Sequence, residues 1–363
     1  MLGKPRRLAI LAEARFTPLD AKTAVGVLRY RPEEVAAVVD STRAGRTAQA
    51  CVGVGGDVPV LATLEEAAAA GADSLLIGVA PQGGELPAGW RALVLQALER
   101  GWDVIAGLHA FLADDPELAA AARRGGARFH DVRRPSASRR VAACRVSQVD
   151  ALVVLTVGSD CNVGKMTAAL ELQRGLTRRG TRATFVATGQ TGILVADHGV
   201  AIDAVPADFV AGEIEHLVIE AARDAEVVVV EGQGSLQHPG YSGVTLGLLH
   251  GAAPVAMVLC HEAGRESVRR PGATAAESLA EPVIPPLPAL IEMYERAAAW
   301  VQPSRVIGIG LNTWGMAEPE ARRAVERAAR ETGLPATDPV RFGVEALVDA
   351  VLACRGRDRA THR

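Results

Sequence analysis

VVLTVGSDCNVGKMTAALEL, Val153 to Leu172, is the stretch whose reading decides the fold. An apolar run ends at Gly158, a polar turn closes at Gly164, Lys165 follows, and an amphipathic helix begins. That order is the build of a phosphate-binding loop. Backbone N–H groups converge at the N-terminus of a helix, and the helix dipole adds positive potential. Glycines permit the tight turn and the close approach of phosphate oxygens. Lys165 adds a point charge. A chance glycine turn is the bland alternative, and strand, loop, lysine and helix in the required order argue against it.

The nucleotide-hydrolysing pattern GxxxxGK[ST] is not met literally. Five residues, Ser159, Asp160, Cys161, Asn162 and Val163, separate the two glycines. Met166 stands where the hydroxyl is expected, and the first hydroxyl comes one place later, at Thr167. The usual hydroxyl helps hold Mg²⁺. Transfer of a γ-phosphate is therefore handicapped unless Thr167 or Asp160 substitutes. A phosphate that is never cleaved, such as one on coenzyme A, suits the loop equally well.

Outward from the loop, apolar strands alternate with helical patterns in both directions. LAIL, DSLLIGVAP and WDVIAGL read as strands before it, with LATLEEAAAAGA, WRALVLQALERG and DPELAAAARRGG as helices. Asp115 is a plausible N-cap there, with Pro116 at the first helical position. After it, RATFVATG, EVVVVEGQGS, PVAMVLCH and RVIGIGLNT read as strands, and EPEARRAVERAARETG as a helix. Continuous apolar strands between helices predict α/β architecture with parallel sheets covered on both faces. The polar, proline-bearing stretch from Asp131 to Asp150 reads as a linker. It divides a Rossmann-like domain over 1–148 from a phosphate-loop domain over 149–363. The proline-rich stretch 281–290 reads as a redirecting turn. The first domain lacks the glycines of GxGxxG, so a dinucleotide is not expected in it.

Composition agrees. The chain has 363 residues, 49% hydrophobic and 22% charged, enough to bury a sizeable core. The net charge of 39 − 42 = −3 gives no electrostatic case for nucleic acid. No segment approaches the roughly 20 apolar residues of a membrane helix, so no membrane partner is expected. Five scattered cysteines without CxxC fit a reduced, cytoplasmic compartment. A small-molecule substrate and a homo-oligomer are expected.

The candidate site residues lie where strands of such a sheet end. Glu231 closes the VVVV strand, as an acid that positions Mg²⁺ or water, as a general base on an amine, or as a partner of Lys165. Gln233, Ser235 and His238 follow in one loop. Gln190 and Thr191 sit in a polar, glycine-bearing loop after RATFVATG. Asp208 suits helix capping and function about equally. Glu213 and Glu215 read as solvated, with Glu213 a second candidate. His261 ends the strand PVAMVLCH and Arg265 follows it, and Arg265's planar fork suits a carboxylate or phosphate. Asn312 suits either the edge of an adenine or a turn. No His/Cys/Asp/Glu set has metal-ligand spacing, so no structural zinc is expected.

The spacing of GSDCNVGK resembles the GTDxxVGK loop of dethiobiotin synthetase and its relatives. The chain as a whole resembles a bacterial and archaeal family of two-domain proteins, long of unknown function, whose members include D-glutamate N-acetyltransferases. AKTAVGVLRY, GADSLLIGVAPQGG, GLHAFL, GSDCNVGKMTAALEL, ATGQTGILVADHGVAIDAVPADFVAGEIE, VEGQGSLQHPGYSGVTLGLLHG, LCHEAGR and GLNT carry that resemblance. It implies an N-terminal Rossmann-like domain and a C-terminal phosphate-loop domain. It further implies acetyl transfer from acetyl-CoA to the amine of D-glutamate. Met166 is compatible with the family pattern. Gly158 to Thr167 would then hold the phosphates of coenzyme A, with Asn312 beside them. Glu231 or His238 would accept the amine proton, the Gln233 stretch would supply oxyanion donors, and Arg265 a carboxylate site. The competing readings are an ATP- and Mg²⁺-dependent ligase like dethiobiotin synthetase, and a nucleotide-sensing regulator.

Overall fold

A computed structural model describes residues 6–81, 84–135, 139–268 and 282–361. Residues 136–138 of the expected linker and Glu281 of the proline-rich stretch lie outside them. The chain forms two compact units. One is Met1–Ser136 with Gly189–Ala204, the other Ala137–Thr188 with Val205–Arg363.

The first unit runs β1 (Leu8–Leu11), α1 (Lys22–Tyr30), β2 (Val35–Val39), α2 (Ala48–Val52), β3 (Val60–Leu61), α3 (Leu64–Ala69), β4 (Ser74–Ile77), α4 (Arg91–Glu99), β5 (Asp103–Ala106), α5 (Pro116–Gly125) and β6 (Phe129–Asp131). The strands are parallel, in the order β3-β2-β1-β4-β5-β6. Every residue of β1, β2 and β4 is buried, as strands covered on both faces require. Local chemistry sets the helix starts. Thr63 and Glu66 make a reciprocal capping box on α3. Asp115 caps α5 through the amides of Glu117 and Leu118.

The sheet order reverses between β1 and β4, where such folds hold a dinucleotide. Here the fully buried Asp40 carboxylate fills the turn after β1, accepting from Ala14 N and Phe16 N at 3.1 Å each. Amides that would face a pyrophosphate are thus satisfied from within.

The second unit begins with β7 (Leu152–Gly158), α6 (Lys165–Arg178) and β8 (Ala183–Val186). The chain then gives α7 (Gln190–Ala196) to the first unit and returns as α8 (Ala207–Ala222), β9 (Val227–Val230), α9 (Ser242–Ala252), β10 (Ala256–Glu262), α10 (Leu287–Ala298), β11 (Arg305–Asn312), α11 (Glu318–Thr332), β12 (Ala336–Thr337) and α12 (Glu345–Thr361). The strands are again parallel, in the order β12-β11-β10-β7-β9-β8. Among the described residues no helix is long and apolar enough to cross a membrane.

The structure thus has the two parallel-sheet α/β domains that the alternation predicts. It departs from the sequence reading in several places, and α10 (Leu287–Ala298) already begins inside the stretch 281–290 read as a redirecting turn. The stretch read as a polar loop after β8 contains α7, whose Thr191 to Val195 are buried. Glu213 and Glu215, read as solvated, are 7% and 1% exposed. Segment 139–148 covers this part of α8. Arg140 pairs with Glu213 at 3.1 Å. Glu215 accepts from Arg145 Nη2 at 2.8 Å and from the backbone of Arg145 at 2.6 Å. Burial pushes the Glu215 carboxyl up, and these hydrogen bonds outweigh it, leaving the group below its ordinary value.

Candidate functional site

β7 is an inner strand of the second sheet, and its C-terminal end opens into the loop Ser159–Gly164. Gly164 takes φ +101°, a conformation open to glycine, and hands the chain to α6. Asn162 adopts φ +59°, which asparagine tolerates. Lys165, first in the helix, is only 7% exposed. Its Nζ donates to the carbonyl of Asp160 at 2.7 Å. A Cβ on Gly158 would stand 3.0 Å from that Nζ, so the glycine makes room for the lysine. Burial lowers the Lys165 pKa, opposed by Cys161, Cys260, Asp160 and Glu231 around it. An ammonium held in so dry a place gains from an anionic ligand.

The neighbouring loops close around this turn. Arg265, after β10, spans it: Nη1 donates to Asp160 Oδ2 at 2.9 Å and to Cys161 O at 2.8 Å, and Nη2 pairs with Glu262. Its Nε is buried with no hydrogen-bond partner among the described residues. Ser159 Oγ meets His261 Nδ1 at 2.8 Å. Burial, then Arg265, push the His261 imidazole down to about 4, so it is neutral at physiological pH. Tyr294 of α10, fully buried, donates to Gly158 O at 2.7 Å and accepts from Leu236 N at 3.2 Å. Cys260 below the loop is pushed up to about 12 by burial, the mark of an inert thiol.

The segment after β9 forms the other wall. A Cβ on Gly232 would lie 1.7 Å from Thr156 O, so only glycine lets this segment pass against β7. Glu231 is 3% exposed. Its Oε2 accepts from Thr188 N at 2.9 Å and its Oε1 from Gln233 Nε2 at 3.1 Å. Ser235 is fully buried, 3.5 Å from Ser159 O, and Gln237 Nε2 donates to the same carbonyl. His238, 5% exposed, accepts from Gly240 N at Nδ1, 3.0 Å. Its neutral form therefore carries the proton on Nε2.

Donor atoms of Asp160, Cys161 and His238 lie within 4.8 Å of one another. Sequence spacing could not show this trio, because His238 arrives from a different loop. It is chemically a possible metal-ligand set. Arg265 and Lys165, however, already stand against it, and the His238 wiring puts a proton where a metal would need a lone pair. The arrangement suits an anion better than a divalent cation.

The other expected site residues divide in two. Asn312 ends β11 at the lip of the loop, its Cβ 3.8 Å from where a Cβ on Gly164 would be. Met166 and Thr167 are half-buried in the first turn of α6. Gln190 and Thr191 instead belong to the first unit. Gln190 Oε1 accepts from the buried Arg133 at 2.8 Å, and the Thr191 and Thr23 hydroxyls meet at 3.2 Å. Asp208 is exposed in the first turn of α8, whose N-cap is Pro206, so it does not cap that helix. Tyr294 and Gln237 are site residues that sequence reasoning missed. Tyr294 lies mid-helix in α10, just past the stretch 281–290 read as a proline turn.

A family model described as a domain of unknown function, DUF1611_C, a P-loop domain, matches residues 140–348. A second, DUF1611_N, a Rossmann-like domain, matches residues 41–135. A D-glutamate N-acetyltransferase from Tritonibacter scottomollicae is 41% identical over 347 residues, covering 92% of this chain and 95% of that protein. A protein of the same name from Pseudoalteromonas sp is 36% identical over 284 residues, covering 78% and 82%. The crystal structure of a DUF1611 family protein from Anabaena variabilis superposes with a TM-score of 0.89 at 38% identity, over 96% of this chain and 99% of that one. The chain belongs to the DUF1611 family. By its likeness to these relatives over most of its length, it is an N-acetyltransferase.

Proposed function

We propose that this enzyme moves an acetyl group from acetyl-CoA to the amine of D-glutamate or a closely similar acidic amino acid. The observation that carries the donor is the cradle: the loop Ser159–Gly164 turns through Gly164 into the N-terminus of α6, with the buried Lys165 amine at its start. Met166 supports the reading, because a phosphate held but not cleaved needs no hydroxyl to carry Mg²⁺. The names of the two relatives support acetyl transfer and the acidic D-amino acid.

This wiring changes the parts expected of several residues. Glu231 has both carboxylate oxygens engaged and orients Thr188 and Gln233. It sits in the wall of the phosphate site, as do Gln233 and His238. Arg265 clamps Asp160 and so keeps the loop in shape. In the reaction the neutral amine attacks the thioester carbonyl carbon. The carbon–sulfur bond breaks, the coenzyme leaves as thiolate, and the amine proton passes to solvent or a base. The protein's largest contribution is holding the donor by its phosphates, so that attack becomes effectively unimolecular.

A thiol-release assay with acetyl-CoA and a panel of D- and L-amino acids tests this, with the product weighed by mass spectrometry. Thiol release with D-glutamate and a mass gain of one acetyl group are expected, unchanged by chelation of Mg²⁺. ATP hydrolysis without thiol release from any amine refutes the reading in favour of a ligase.

A further inference from the structure

Trp314, two residues beyond Asn312, is 66% exposed on a loop that is otherwise tightly built. Thr313 is fully buried, and both its amide and its hydroxyl donate to Asp338 Oδ2, at 3.0 and 2.6 Å. Asp338 is itself 3% exposed and also receives the amides of Val340 and Arg341. Arg341 Nη1 ties down the carbonyls of Thr313 and Met316, at 3.1 and 2.9 Å. Gly315 turns the chain at φ +85°. A buried carboxylate and an arginine thus immobilise the residues on either side of an indole left in water.

Single exposed aromatics are ordinary, and it is the position of this one that matters. β11 lies two strands from β7, with β10 between them in register: Cys260 pairs with both Gly158 and Gly310. Two strand spacings are about 10 Å, a separation that a ribose and a base cover from a phosphate in the cradle. Asn312 stands between, against Gly164. Its Oδ1 accepts from Trp314 N at 3.1 Å, so its two Nδ2 protons face away from that bond as donors.

We propose that Trp314 and Asn312 form the purine site of the donor, the indole stacking on the base face and the Asn312 amide donating to a ring nitrogen at its edge. This rests on the reading of the loop as the holder of the coenzyme's phosphates, and it assigns the nucleotide end of that molecule to the β11 side of the cradle. Stacking tolerates any base, because every base has a π-face. Asn312 then selects bases with an acceptor at the edge it meets.

The full-length protein is titrated by calorimetry with CoA, adenosine 3′,5′-bisphosphate and pantetheine, and indole emission is followed in parallel. Trp314→Ala is expected to weaken CoA and the bisphosphate alike, by about 10-fold or more, and Trp314→Phe by less. Trp300→Phe, which alters the other exposed indole of this unit, leaves both affinities as they were. The bisphosphate quenches emission in the wild type and in Trp300→Phe, and not in Trp314→Phe. If Trp314→Ala binds CoA and the bisphosphate as tightly as wild type, this inference falls and the cradle stands. If wild type binds neither CoA nor the bisphosphate, the cradle reading itself falls and takes the inference with it.

Discussion

Replacing Lys165 with Met tests the cradle most directly, because it keeps the length of the chain and removes the charge. Lys165 is 7% exposed and donates to Asp160 O in the free protein. A hydrogen bond involving a charged group contributes about 1.5–3 kcal/mol. At about 1.4 kcal/mol per decade, its loss weakens binding by roughly 10- to 150-fold. The same lysine predicts a pH effect with a definite sign. Burial holds its pKa below the ordinary lysine value, and a phosphate beside it raises that pKa again. The bound state therefore carries more protons near the lowered pKa. Affinity is complete below it and is lost as pH rises through it. Calorimetry with acetyl-CoA, repeated in buffers of different ionisation enthalpy, reads both quantities. The wild type should take up protons on binding at alkaline pH, and Lys165→Met should not. Affinity of Lys165→Met within twofold of wild type, with the same proton uptake, would refute the assignment of the anion to this loop.

Three further outcomes follow from the same geometry. Tyr294→Phe keeps the ring but leaves Gly158 O and Leu236 N without the bridging hydroxyl. At about 1–3 kcal/mol per buried group left unpaired, peptides spanning Gly158 and Leu236 should exchange hydrogen at least about 5-fold faster. Unchanged exchange there would show the bridge to be idle. His261 is neutral in the fold, at about 4, and titrates at its ordinary 6.5 when unfolded. Its contribution to stability is thus present above pH 6.5 and lost as pH falls toward 4, by at most about 3 kcal/mol. Melting curves at pH 7 and pH 5 should diverge less in His261→Gln than in wild type, and an equal divergence would contradict this. Gly232→Ala places a Cβ 1.7 Å from Thr156 O. Loss of acetyl-CoA binding, or of soluble protein, is expected, and a variant with wild-type affinity would show that the segment has another route past β7.

Much of this protein can be read from neighbouring residues alone. Apolar runs such as LVVLTVG make buried parallel strands. Glycines at both ends of SDCNV make a phosphate turn, and Asp115 before Pro116 starts a helix. Each is decided by backbone sterics and hydrogen bonds within a few positions, so two α/β domains with a loop at Lys165 were legible. Five helices, α1, α2, α7, α9 and α10, were not read. α2 and α7 are too short to show a period, and α9 carries little polar face. α1 and α10 are amphipathic, and the glycine in one and the prolines opening the other read as turn signals.

Which partners each candidate site residue meets is decided only when distant segments come together. Arg265 has the sequence of a ligand-binding fork, yet it spends its donors on a carboxylate 105 positions away. Glu231 has the position of a base, yet the Thr188 amide and Gln233 occupy it. The stretch from Gly189 to Ala204 reads as a loop of one domain and is built into the other. A polar side chain declares its chemistry in the sequence. Whether it is free to use that chemistry depends on what desolvates it and which partners reach it first, and those are brought to it by the fold of the whole chain.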